Sequence, residues 1–155
     1  MGLEHTEGTN QNLAKERALR ADGHGPKMHF LSPASVHDPA KAKKEVFAQI
    51  QADDAGDGWC GDSVERNWAE AMAHFMERKT ANAKKDGHEL YDDNRLMIYD
   101  NWPAPALNHQ RALPDLREQL KQSTVWSVFG RVYIINEHTV LELSADQSIY
   151  HHGRR

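Results

Sequence analysis

The sequence predicts an α/β (or α+β) fold: a small mixed β-sheet with a strand–helix–strand unit and a C-terminal hairpin, flanked by three to four helices. Three observations predict it. A β-branched run, Arg131-Val132-Tyr133-Ile134-Ile135, is answered across Asn136-Glu137-His138 by Thr139-Val140-Leu141-Glu142-Leu143, the pattern of a hairpin. A short apolar run from Arg95 to Tyr99 stops at Asp100-Asn101 and Trp102-Pro103-Ala104-Pro105, as a strand buried on both faces does. A helical stretch lies between these two segments, and such a crossover implies that strands 95–99 and 131–135 are parallel neighbours.

Taken in order, residues 1–9 read as a loose tail. Asn10 or Asn12 caps a short helix through Leu13, Arg17 and Ala21, stopped by Gly23 and Gly25-Pro26. Lys27 to Leu31 reads as a short strand, broken by Ser32-Pro33. Asp38-Pro39 offers a capping carboxylate and a first-turn proline for a helix to about Gln51, with Ala42, Val46, Phe47 and Ile50 on one face. The polar loop Asp53 to Gly58 ends it. The clearest helix starts at Asp62, where Glu65 completes a capping-box-like pair. Val64, Trp68, Ala71, Met72 and Phe75 then mark one apolar face of a helix reaching about Lys84. After the loop 86–94 and strand 95–99, a helix spans Asn108 to Gln122. Pro114 moves its expected start to near Leu113. Residues 144–155 read as a second loose tail, and the 155 residues as one domain.

Composition narrows the function classes. The formal charge of -4 is not the footprint of a strong phosphate-backbone binder. Ten histidines make the charge sensitive to mild acid. The single Cys60 excludes an intramolecular disulfide. With no apolar run of about 20 residues and no basic-then-apolar leader, no membrane association and a cytoplasmic home are expected. Gly2 and Thr6 match a myristoylation pattern short enough to arise by chance. Signatures of P-loop, dinucleotide-binding and serine-hydrolase families are lacking. Asp53 to Gly58 is not a calcium loop, because Ala55 and Val64 stand where ligands are needed.

The strongest candidate site is the strand exit at Tyr99-Asp100-Asn101, because open α/β sheets bind ligands beyond the carboxyl ends of their strands. The plainer reading makes Asp100 and Asn101 ordinary turn residues. A second candidate is the helical face of Glu70, His74 and Glu77, with Arg78 beside it. Those spacings suit metal ligands and equally suit a solvated charge ladder. Cys60, just before a helix start, reads as a packed small residue rather than a nucleophile.

Glu77-Arg78-Lys79-Thr80, Leu96 to Pro103 and Phe129 to Ile135, in that order, resemble parts of uncharacterised bacterial proteins with a restriction-endonuclease-like α/β core. The resemblance covers under half the chain. It implies a metal-dependent nuclease or phosphodiesterase acting on nucleic acid, with Mg2+ or Mn2+ as cofactor. Asp100 would then be the metal ligand, Glu70, His74 or Glu77 further ligands, and Lys79 the cation that steadies transition-state charge. The pattern departs at its centre, since nothing after Asp100 reads Glu-x-Lys and Glu77-Arg78-Lys79 lies on a helix before the strand. The residues themselves favour a different function: a non-catalytic binding or regulatory module of bacterial type. Tyr99, Asn101 and Trp102, followed by Pro103 and Pro105, would be its contact surface for a protein partner.

Overall fold

Alternation along each strand decides which face is buried, and here one face of every inner strand is apolar. The computed structural model describes residues 1–29, 32–53, 58–85 and 90–152. Five strands form one mixed sheet in the order β1 (Gly2–Gly8), β2 (Asn94–Asp100), β3 (Arg131–Ile135), β4 (Thr139–Leu143) and β5 (Ser148–His152). The first three run parallel, and β4 and β5 are antiparallel to their neighbours. The helices are α1 (Gln11–Ala21), α2 (Lys43–Ala52), α3 (Ser63–Ala83) and α4 (His109–Leu120), with a 3-10 turn at Val125–Ser127. The expected α/β class, the parallel β2–α4–β3 unit and the β3–β4 hairpin are all present.

Leu96 and Ile98, Val132 and Ile134, and Leu141 and Leu143 point to one side of the sheet and are buried. There they meet Trp68, Met72 and Met76 of α3 and Leu116 of α4 in one core cluster. Each such side chain contributes roughly 1.5–3 kcal/mol by leaving water. Gly8 sits on this covered side, where a Cβ would come within 3.3 Å of the Met72 side chain, so its lack of one lets α3 approach the end of β1. A smaller cluster of Leu19, Val46 and Ile50 joins α1 to α2. No helix among the described residues is long and apolar enough to cross a membrane.

Several expectations are corrected. Residues 2–8 are not a loose tail but edge strand β1, paired along its length with β2. The backbone supplies that pairing, so an edge strand with Thr6 and Gly8 facing inward needs no apolar stripe. Residues 148–152 of the other expected tail form β5 at the opposite edge. Lys27 to His29 is not strand, and Phe30 and Leu31 lie outside the described residues. Strand β2 is buried on one face only, and Tyr99 on the other is 42% exposed.

Helix α2 starts at Lys43, because the Asp38 carboxylate is taken by the Ser35 backbone N–H at 2.8 Å. Glu45 instead reaches back to accept from the Ala42 N–H at 2.6 Å. At α3 the Asp62 side chain caps nothing. Ser63 Oγ accepts from the Cys60 N–H at 2.9 Å, and Glu65 is buried rather than turned back to a cap. Helix α4 begins at His109, capped by Asn108, whose Oδ1 accepts from the Arg111 N–H at 3.2 Å. Pro114 therefore lies inside the helix, not at its first turn.

Candidate binding crevice

The carboxyl ends of β2 and β3 open into one crevice, and the residues following each strand build its walls. At the exit of β2, Asp100 is held by two indole-bearing residues. Trp68 of α3 donates its Nε1–H to Asp100 Oδ2 at 2.7 Å, and the Trp102 backbone N–H donates to Oδ1 at 3.0 Å. Burial raises the Asp100 pKa, and these two bonds oppose the rise. The loop from Trp102 turns through Ala106, at φ 56, into the start of α4. His109, the first residue of that helix, sets its ring edge-on to Trp68 with centroids 5.2 Å apart. Burial lowers the His109 pKa, so the imidazole is neutral at pH 7.

The opposite wall is the β3–β4 turn. Asn136 Oδ1 accepts from the backbone N–H groups of His138 and Thr139 and from Thr139 Oγ1, each at 2.9 Å. That local closure fixes the turn as an Asx motif and holds Glu137 and His138 at the mouth. The floor is tied to β1 and α1: Asn101 Nδ2 donates to Glu7 Oε1, and Arg17 donates to the Asn101 carbonyl at 3.2 Å. The crevice is an open depression of about 410 Å3 between Tyr99, Asp100, His109, Asn136, Glu137 and their neighbours. Its ionisable lining is Asp100, Glu137 and two histidines, with no lysine or arginine.

The structure brings three of the predicted site residues to this crevice, Tyr99, Asp100 and Asn101. It removes the others. Trp102 is 6% exposed, its ring edge-on to Phe75 and its Nε1–H given to Asn67 Oδ1 at 2.7 Å. It is core, not a contact surface, and Pro103 is buried beside it. Glu70 and His74 do gather on the surface of α3, where His37 Nε2 lies 3.4 Å from Glu70 and the His37 and His74 rings meet at 5.9 Å. The His74 pKa is lowered by burial, then by Arg78 and His37. Glu77 is exposed, and Lys79 pairs with Glu4 of β1 at 3.4 Å.

These residues do not join Asp100. Trp68 touches Asp100 at one end of α3, whereas Lys79 meets Glu4, which is level with Leu96 in the sheet. The separation is about 16 Å along the helix and about 13 Å along the strand. Glu70, two residues past Trp68, projects from the opposite side of α3. Among the described residues no three His, Cys, Asp or Glu side chains are grouped to hold a metal ion. The expected Mg2+ or Mn2+ set is thus not assembled around Asp100.

His109, Asn136, Glu137 and His138 were missed as site residues. The available signal was positional: both segments directly follow predicted parallel strands, so both belong to the carboxyl edge. A larger cavity, about 450 Å3, lies between α1 and α2 beside Glu16, Arg20 and Ile50. Size favours it, and Arg20, whose Nε bonds Glu16 at 2.8 Å, keeps a buried Nη1 with no hydrogen-bond partner, but none of the groups with a shifted pKa lines it. The crevice is preferred because topology and perturbed ionisation coincide there. No protein-family model, no curated protein sequence and no solved structure matches the chain.

Proposed function

We propose that the chain is a non-catalytic binding module whose carboxyl-edge crevice receives a positively charged, hydrogen-bond-donating group. An arginine or lysine side chain of a protein partner fits that chemistry. The observation that carries the reading is the lining: two carboxylates, two side-chain amides and two imidazoles, with no lysine or arginine. Such a surface attracts a guanidinium or ammonium and repels a phosphate. Tyr99 at the rim adds an aromatic face suited to a cation. A cytoplasmic setting belongs to the same reading, since the exposed Cys60 thiol is compatible with a reducing compartment.

The nuclease alternative needs clustered carboxylates and a cation facing the scissile phosphate, and the partner of Lys79, Glu4, lies about 13 Å along the strands from the level of Asp100. The deciding experiment titrates the protein with N-acetyl-arginine amide, N-acetyl-glutamate amide and inorganic phosphate, followed by tryptophan fluorescence or calorimetry. The arginine compound binds, and Glu137→Gln weakens it about threefold, the effect of one exposed charge pair. Equal binding of glutamate or phosphate would sink the proposal. So would Mg2+-dependent plasmid nicking that is lost in Lys79→Ala.

A further inference from the structure

Histidine is the side chain whose charge changes nearest to neutral pH, and two of them line the crevice at the carboxyl edge, His109 and His138. We propose that His109 makes this crevice pH-gated: it holds a cationic ligand at neutral pH and releases it in mild acid. The inference rests on the reading of the crevice as a site for a guanidinium or ammonium, and adds its regulation.

Position makes His109 the switch. It is the first residue of α4, so the loop from β2 brings its ring to the wall beside Asp100. Trp68 connects the two: its indole meets the His109 ring at 5.2 Å and donates to Asp100 Oδ2 at 2.7 Å. The surroundings are short of cations. β2 supplies Asp100, the β3–β4 turn supplies Glu137 and His138, and α3 supplies the uncharged Trp68. Arg17 of α1 and Glu7 of β1 stand at the floor, both bonded to Asn101. One turn further along α4 are Ala112 and Leu113, which carry no charge.

Proton and ligand compete because they carry the same charge. An imidazolium has only donors, as a guanidinium or ammonium has, so the two repel and cannot hydrogen-bond to each other. With both imidazoles neutral, the carboxylates of Asp100 and Glu137 leave the lining negative; with both protonated, the charges cancel. A cation centred in a space of about 410 Å3 lies roughly 5 Å from the walls, where one like charge near a protein surface weakens binding about tenfold. Burial lowers the His109 pKa, so the change falls below pH 6.5 and leaves the site open to its ligand at neutrality. Burial raises that of Asp100, so its carboxylate also loses charge on acidification, and the two effects act in the same direction.

Calorimetric titration of the full chain with N-acetyl-arginine amide at about pH 7.5 and about pH 5.5, at equal ionic strength, tests this, with circular dichroism to show the chain folded at both. The dissociation constant rises about tenfold in acid. His109→Gln keeps a neutral polar side chain at both values, and the ratio falls to about threefold or less. The unsubstituted chain supplies a second readout that a merely structural role would not move: saturating ligand lowers the midpoint at which the His109 ring proton resonances titrate, by about one pH unit. Equally tight binding at both values overturns the gating and leaves the crevice reading standing. A ratio unchanged by His109→Gln, or a midpoint that ligand does not move, overturns His109 as the switch. Absence of binding at either value overturns the crevice reading and this inference together.

Discussion

Asp100 accepts one hydrogen bond on each carboxylate oxygen, from Trp68 Nε1 and from the Trp102 backbone N–H. An amide has only one accepting oxygen, so Asp100→Asn turns an NH2 group toward one of these donors. The substitution is expected to cost about 1–3 kcal/mol in urea unfolding, the penalty of an unsatisfied buried donor. Protonation gives a second test at this scale. His109 has a folded pKa below its unfolded value of 6.5, so between those two values the unfolded chain binds more protons. Stability is therefore full above 6.5 and is lost as pH falls through that window, and His74 acts in the same direction. Asp100, with a raised folded pKa, has the opposite sign: its contribution is present below 3.8 and declines as pH rises through its folded pKa. Urea midpoints measured downward from pH 7 should drop, and His109→Gln should flatten the decline.

Among the elements, α4 carries an avoidable defect. Pro114 lies within the helix, exposed, and lacks the N–H that would bond the Gln110 carbonyl. Pro114→Ala restores that bond and loses little packing, so it should raise stability by about 1–2 kcal/mol, read from the shift in thermal midpoint. The same element shows how the sequence misleads. A proline normally marks a helix start, but Asn108 caps α4 five residues before Leu113 and tertiary packing of Ala112 and Leu116 carries the helix through it. Elements with an apolar stripe were legible: α3 from Trp68, Met72 and Phe75, β2 from Leu96 and Ile98, and the hairpin from its β-branched runs. β1 and β5 were not, because an edge strand is held by backbone bonds to its neighbour and can be polar in sequence. Asp38 and Asp62 failed as caps for a related reason. The Asp38 side chain accepts from the Ser35 N–H instead, and the Asp62 side chain lies 3.7 Å from the Arg66 guanidinium.

At the scale of the whole molecule, one decision organises the rest: helices α3 and α4 cover one face of the sheet, and among the described residues the carboxyl edge stays outside that core. The strand exit at Tyr99-Asp100-Asn101 was legible as a site because strand ends in open sheets have that role. Its chemistry was not, since His109 and Glu137 are 9 and 37 residues beyond Asp100 in sequence and only the parallel β2–α4–β3 connection brings them to one crevice. Trp68 links site and core, so damage to either reaches the other through one side chain.

Under the proposed function, ligand is recognised at this edge and not in the larger cavity between α1 and α2. Backbone amide chemical shifts recorded during titration with N-acetyl-arginine amide test it most directly. Shifts are expected to concentrate at residues 99–101, 107–109 and 136–139. Shifts concentrated instead at Leu13, Glu16, Arg20 and residues 46–53 would contradict it.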